Sequence, residues 1–303
     1  MISEAVVKAL EGFVPTKNIY LRESMAGHTT FKVGGPADCL ITLENEEQLQ
    51  KVQRYLHLVG IPFFVLGNGS NVLVSDKGYK GVILQVGDKM SDIRVEGKRV
   101  IAQAGARMSQ VSRAAMENGL TGLEFASGIP GTVGGGVVMN AGAYGGEMRQ
   151  VVESVTVVDS NGEILELDNS TMEFGYRYSI IRNQPFVVIK VTFLLQEGVT
   201  EQIKETMDDL AARRREKQPL EYPSAGSTFK RPEGYFAGAL IMDAGLRGFR
   251  IGGAQVSEKH CGFVINAGNA TAEDVMNVIQ EVRFRVKEQF GVELEPEVVF
   301  LGF

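Results

Sequence analysis

The chain has 303 residues, of which 36 are glycine, 9 proline, 3 histidine and 2 cysteine, with no tryptophan; 44% are hydrophobic, 22% charged, and the net charge is −6. Collagen-like and disordered readings are excluded, because the glycines have no three-residue period and aliphatic residues are plentiful. Lysines and arginines scattered over an acidic chain exclude a nucleic-acid footprint. The glycines are uneven, since the stretch Gly60–Gln150 holds 18 of the 36.

In chain order, the start MISEAVVKALEG puts Ile2, Val6 and Leu10 on one face among Glu4, Lys8 and Glu11, an amphipathic helix rather than a signal peptide's apolar core. Leu49, Val52, Leu56 and Val59 have helical spacing within Glu44–Val59, and the run IPFFVLG at 61–67 reads as a buried strand opening into GNGSN. Strands follow at Val82–Val86 and Arg99–Ala104, and a helix at Met108–Asn118. The 22 residues from Phe125 to Gly146 carry no charge, yet eight glycines, Pro130 and Asn140 make them a loop system rather than a membrane span. VESVTVVDSNGEILEL alternates around Asn161-Gly162, a hairpin signal, and Phe186–Leu195 is a further strand. The charged helix Thr200–Lys217 closes at Pro219, so a boundary is expected near 200–220. Its basic end, Arg213–Arg215 with Lys217, reads as a solvated last turn. Beyond it come a helix at Phe236–Ala244, strands near Ile251 and Phe263, and a helix from Thr271, where Thr271 caps, Asp274 takes the third position, and Val275, Val278, Ile279, Val282 and Val286 form the stripe. The mixture is α+β. Cys39 and Cys261 stand far apart and support neither a disulfide framework nor a metal site, so a cytoplasmic enzyme is the default.

Five stretches could carry chemistry. In Gly67-Asn68-Gly69-Ser70-Asn71 the glycines bring bare N–H groups up to an anion, a design suited to a diphosphate; a tight strand-to-strand turn explains the same residues equally well. Gly128-Ile129-Pro130-Gly131-Thr132-Val133-Gly134-Gly135-Gly136 continues through Asn140, Ala141 and Gly142 to Gly146. Close helix-on-sheet packing accounts for some of these glycines; a pair of such loops in one unit points instead to one large ligand with a diphosphate and flat rings, best met by a flavin dinucleotide. The third stretch, Pro223–Lys230, contains Ser227 without the Gly-x-Ser-x-Gly setting of a hydrolase nucleophile, and His28, His57 and His260 read as structural or surface residues; Ser227 can still donate a proton to a carbanion-like intermediate. Arg177, between Tyr176 and Tyr178, suits either cation–π packing or a substrate carboxylate. Glu297, in the apolar terminal strand, is either surface alternation or a functional acid.

Taken in order, the two loops, then GYRYS, SAGSTFKRP and LEPEV, resemble the UDP-N-acetylenolpyruvoylglucosamine reductase family over about His28–Phe303. The resemblance implies an FAD-binding module of two subdomains like those of vanillyl-alcohol oxidase, at 1–85 and 86–205, and a substrate domain at 206–303 whose last strand, after Glu297, returns to the FAD module. It implies hydride passing from NADPH by way of FAD to the enolpyruvyl ether of UDP-N-acetylglucosamine enolpyruvate, in peptidoglycan precursor synthesis. Gly67, Asn68, Gly69, Ser70, Asn71, Gly128, Ile129, Pro130, Gly131, Thr132, Gly135, Asn140, Ala141 and Gly142 would hold FAD. Arg177 would stabilise the enol-type intermediate, Ser227 would protonate it, and Glu297 would be the second acid; Tyr176, Arg214 and Lys230 are candidate substrate contacts, with Arg231 a further candidate near the uridine. Few residues separate Tyr178 from Phe186, which matches the shorter class without a tyrosine-bearing capping loop. No metal, nucleic acid or membrane partner is expected, and no assembly beyond a monomer or weak oligomer. The alternatives are another flavoprotein oxidase or dehydrogenase of the same FAD fold, and a non-catalytic nucleotide-sugar binding protein.

Overall fold

The computed structural model describes residues 2–303 and divides the chain into two compact units. The first runs to Leu21 and adds Cys39–Asn68 and Gly81–Arg214; the second comprises Arg22–Asp38, Gly69–Lys80 and Arg215–Phe303. The chain therefore passes from one unit to the other several times; the first glycine-rich loop, 67–71, contains one such passage, between Asn68 and Gly69, whereas the second, 128–146, lies wholly within the first unit.

The first unit holds a five-stranded antiparallel sheet ordered Ile164–Asp168, Val152–Val158, Val187–Leu194, Arg99–Gln103, Ile93–Glu96. Alternation in VTVV and VVIKVTFL turns Val155, Val157, Val191 and Phe193 into a core with no exposed surface, where each fully buried aliphatic contributes roughly 1.5–3 kcal/mol. The hairpin signal at Asn161-Gly162 is realised in a longer form. Val158 pairs with Ile164, and the intervening loop is organised by Asp159, whose carboxylate accepts from the N–H groups of Asn161 and Glu163 at 2.8 Å, with Gly162 at φ 83°. A second sheet is ordered Ile19–Ser24, Pro36–Leu43, Tyr79–Val86, Phe63–Leu66, its last pair parallel. The helix Glu46–Leu58 buries Leu49, Val52 and Leu56 of the stripe read from its spacing, whereas Val59, the fourth residue of that stripe, caps the helix end and is exposed.

In the second unit the helix Ala272–Phe290 buries Val275, Val278, Ile279, Val282 and Val286 beside the small antiparallel sheet Arg250–Ile251, Ala254–Val256, Val264–Asn266. Its start is capped twice. Thr271 and Asp274 form the expected capping box, and Asp76, distant in sequence, accepts from the N–H groups of Ala272 and Glu273 at 2.9 Å, a carboxylate at the positive end of the helix dipole. The segment after the first glycine-rich loop is thereby tied to the C-terminal unit. The terminal strand Val299–Leu301 pairs in parallel with Val72–Val74 of that segment.

Candidate functional site

In the first unit the two glycine-rich loops meet. A Cβ at Gly67 would be driven into Thr132 Oγ1, so the chain can leave the strand Phe63–Leu66 at that point only as glycine. Asn68 Nδ2 then donates to the Pro130 carbonyl at 3.0 Å. Thr132 caps the short helix Val133–Val138, and the three glycines within that helix divide by role. A Cβ at Gly134 would sit 3.0 Å from Ala104 Cβ, and one at Gly136 3.0 Å from Met108 Sδ, so these two serve packing. Gly135 faces outward and is exposed.

Beyond the helix, Ala141 N–H donates to Gly136 O at 2.8 Å, and Met148 N–H to Ala141 O at 3.1 Å. Ile129 packs against the core, whereas Pro130 is exposed. Gly142–Ala143 pairs with Gly146–Glu147, presenting Tyr144 at φ 54° and 45% exposed. Across Gly128 lies the Arg214 guanidinium, 3.1 Å from where a Cβ would stand, and its Cζ is 6.0 Å from the Tyr144 ring centroid.

Asn140, 1% exposed, bonds three neighbours: its Nδ2 donates to Glu147 Oε2 at 3.1 Å and to the Gly175 carbonyl at 2.9 Å, and its Oδ1 accepts from Arg149 N–H at 3.0 Å. Gly175 opens a tight turn closed by two bonds with Tyr178, 3.0 and 3.2 Å. Arg177 sits in that turn at φ 55°, left-handed backbone that a non-glycine residue occupies at about 1–3 kcal/mol. Its guanidinium lies 5.2 Å from the Tyr176 ring centroid, and its Nη2 reaches the Gly142 carbonyl at 3.5 Å. Between this turn and the strand Val187–Leu194 stands only the short helical turn Ile180–Arg182.

In the second unit the rest of the first loop meets the other two motifs. Gly69, at φ 61°, leaves no room for a Cβ beside the His28 carbonyl. The backbone N–H groups of Asn68, Gly69, Ser70 and Asn71 meet no acceptor among the described residues. Bare donors on a loop that side chains cannot fill fit the diphosphate of a dinucleotide. Asn71 faces the other way: its Nδ2 donates to the Glu297 carbonyl at 3.2 Å, and its own carbonyl accepts from Val299 N–H at 2.9 Å. Glu297 N–H donates to Thr228 O at 2.8 Å, and Phe229 bridges Pro296. Two short extended segments, one carrying exposed Ser227 and the other half-buried Glu297, are thus registered by their main chains. Thr228 Oγ1, fully buried, accepts from Val264 N–H at 2.9 Å and anchors the pair to the small sheet. Lys230 is ion-paired with Glu295, and Arg231 stacks 4.0 Å over the Phe236 ring.

Thr30 was not legible as a contributor. Its N–H donates to Gly69 O at 3.1 Å and its Oγ1 to Ser224 O at 2.6 Å, joining the first loop to the segment that leads to Ser227. Both contacts span long sequence separations, so no local pattern marks it. His260, which accepts from Gly262 N–H at 3.1 Å through Nδ1, stacks edge-on against Phe263, and burial pushes its pKa below the ordinary value. Burial pushes the Cys261 thiol up, which suppresses thiolate chemistry there. Among the described residues no cluster of metal ligands occurs, and no helix is long and apolar enough to cross a membrane.

Residues 37–168 match the model of an FAD binding domain, and residues 218–301 that of the UDP-N-acetylenolpyruvoylglucosamine reductase C-terminal domain. The chain is 52% identical over 301 residues to the protein of that name from Caldanaerobacter subterraneus subsp. tengcongensis, covering 99% of each chain. The chain belongs to the UDP-N-acetylenolpyruvoylglucosamine reductase family. A relative from Clostridium perfringens is 53% identical over 295 residues, covering 97% of each chain. The crystal structure of the family's enzyme from Thermus caldophilus superposes with a TM-score of 0.80 at 35% identity, over 93% of this chain and 98% of that one. The fold extends beyond the family: p-cresol methylhydroxylase aligns at a TM-score of 0.59 and 13% identity, over 99% of this chain and 90% of that one. The architecture is α+β, with an FAD-binding module of the type expected and the family's C-terminal domain.

Proposed function

We propose that the chain reduces the enolpyruvyl ether of UDP-N-acetylglucosamine enolpyruvate to UDP-N-acetylmuramate with NADPH as reductant, a cytoplasmic step in making peptidoglycan precursors. The reading is carried by Arg177, a cation held in left-handed backbone beside the glycine-rich loop. Retaining arginine where glycine would be relaxed makes sense if a fixed positive charge is needed at that spot.

FAD, when bound, supplies the two-electron relay between a nicotinamide and the enolpyruvyl carbon. The bare N–H groups of residues 68–71 suit its diphosphate; exposed Pro130 and Gly135 and partly exposed Gly128, Ile129, Gly131, Ala141 and Gly142 suit its flat parts, while buried Thr132 and Asn140 would shape the loop that holds it. Hydride addition to the vinyl methylene builds negative charge on the neighbouring carbon and its carboxylate. Arg177 is assigned to stabilise that charge through its guanidinium. Ser227 Oγ–H gives its proton to that carbon, completing the lactyl ether. The Glu297 carboxyl acts as the second acid, held in position by its own N–H and C=O bonds. Substrate binding is assigned to residues 206–303, with Tyr176, Arg214 and Lys230 as contacts; Lys230 must then leave or share its pairing with Glu295.

The test is NADPH oxidation by the purified protein with and without UDP-N-acetylglucosamine enolpyruvate. Oxidation that requires the substrate is the expected result, and oxidation indifferent to it overturns the assignment. The protein is expected to be yellow; a colourless preparation that FAD cannot reconstitute removes the cofactor and the reaction with it.

A further inference from the structure

We infer that Asn140 is a positioning residue for Arg177, acting as a clamp between the glycine-rich loop and the turn that carries the arginine. This rests on the role proposed for Arg177. Both N–H donors of the Asn140 amide are committed. Its two N–H groups go to Glu147 Oε2 and Gly175 O, and its oxygen takes the Arg149 N–H. A side chain with both donors spent and 1% of its surface exposed has no N–H left for a ligand. The neighbours also dictate its orientation, since the Nδ2 face meets two oxygens and the Oδ1 face meets an N–H.

The clamp is two-legged. The residue before the turn, Gly175, is held through its carbonyl by Asn140, and the residue after it, Ser179, donates its fully buried hydroxyl to Val138 O at 3.0 Å. Both legs therefore rest on the stretch 138–140 at the end of the Val133–Val138 helix. That stretch has its own constraint: Asn140 is at φ 41°, a conformation asparagine tolerates better than most residues. Arg177 closes the arrangement by reaching Gly142 O, two residues beyond Asn140. The strained turn is over-determined by these contacts, which is the condition for such backbone to persist. Glu147 is in turn ion-paired with Arg149, so the acceptor facing Asn140 is itself held.

Two variants separate the clamp from general packing. Asn140→Asp keeps the shape but sets a carboxylate oxygen against Gly175 O and the Glu147 carboxylate; Asn140→Gly relaxes the positive φ while removing the amide. Both are expected to slow substrate-dependent reoxidation of the flavin by about 10- to 100-fold, the scale of a small misplacement of a catalytic group, and to slow NADPH-driven flavin reduction far less. In the apoprotein, hydrogen exchange at the Gly175 and Tyr178 amides is expected to accelerate while exchange in Val152–Val158 stays at the wild-type level. Combined with Arg177→Gln, neither variant should add to the loss of reoxidation, because the clamp acts through the arginine. Additive losses, an equal fall of both half-reactions, or unchanged exchange at Gly175 and Tyr178 overturns the inference. If Arg177→Gln alone leaves reoxidation intact, the role proposed for Arg177 falls, and the exchange measurement still decides whether Asn140 holds the turn.

Discussion

The turn carrying Arg177 and the paired segments carrying Ser227 and Glu297 are built by opposite means. Arg177 stands in left-handed backbone in a turn closed on itself by two main-chain bonds between Gly175 and Tyr178, but that turn is fastened to its surroundings by side chains: Asn140, Ser179 and the Arg177 guanidinium. Ser227 and Glu297 stand on short extended segments whose register is set chiefly by main-chain bonds, Glu297 N–H to Thr228 O and Lys230 N–H to Glu295 O. A group held by side chains is exposed to every substitution in its surroundings, because removing one partner leaves a buried donor or acceptor unmet. A group registered by main chain is sensitive mainly to changes at its own position or to insults that move the backbone.

The largest effect should come from removing chemistry itself. Ser227→Ala is expected to cost about 10²- to 10⁴-fold in substrate reduction, the usual worth of a general acid, while NADPH-driven flavin reduction continues; stopped-flow measurement of the two half-reactions checks this, and equal loss of both contradicts the role. Arg177→Gln should follow at about 10²- to 10³-fold, again confined to the substrate-dependent step.

Backbone insult is the next test of the contrast. Gly69→Ala forces a Cβ toward the His28 carbonyl at positive φ, so a loss of at least ~1–3 kcal/mol is expected in denaturant unfolding, together with weaker FAD retention. Asp76→Ala removes the second cap of the Ala272–Phe290 helix and should cost ~0.5–2 kcal/mol, with flavin reduction by NADPH unaltered in rate. Thr30→Val keeps the shape but deletes the bond to Ser224 O, and should cost ~1 kcal/mol with little effect on substrate reduction. A Thr30→Val loss as large as that of Asn140→Asp would erase the distinction between the two modes of support.

The smallest effect is the pH dependence of the second unit. Burial holds the His260 pKa below its ordinary 6.5, so the unfolded chain binds the proton more readily than the folded one, and stability rises with pH through that window. The contribution is whole above 6.5 and is lost as pH falls below it. His260→Gln should flatten that part of the melting-temperature profile; an unchanged slope would show that other groups produce it.

Much of the fold was legible because it is local. The helical stripe Val275 to Val286 and the Thr271–Asp274 capping box are properties of a few turns of chain, and both are realised. The alternation in 152–158 and 187–194 likewise yields paired strands. The hairpin at Asn161-Gly162 shows the limit of a local signal: the dipeptide marks the reversal, but Asp159 gathers the N–H groups and lengthens the loop. The glycine-rich stretches were legible as loops, not as a division of labour. Gly134 and Gly136 are small because Ala104 and Met108 crowd them, whereas Gly135 faces outward.

By itself the sequence determined the periodic elements, the uneven placement of glycine, and the ordered motifs that mark the family, since all of these are written in neighbouring residues. Only the tertiary structure decided what those residues hold. Asn140 bonds Gly175, Asn71 bonds Glu297, Thr30 bonds Ser224, and Asp76 caps a helix far along the chain. Each partner is chosen by which buried polar group would otherwise lack a bond, and that is settled only when distant segments are packed together.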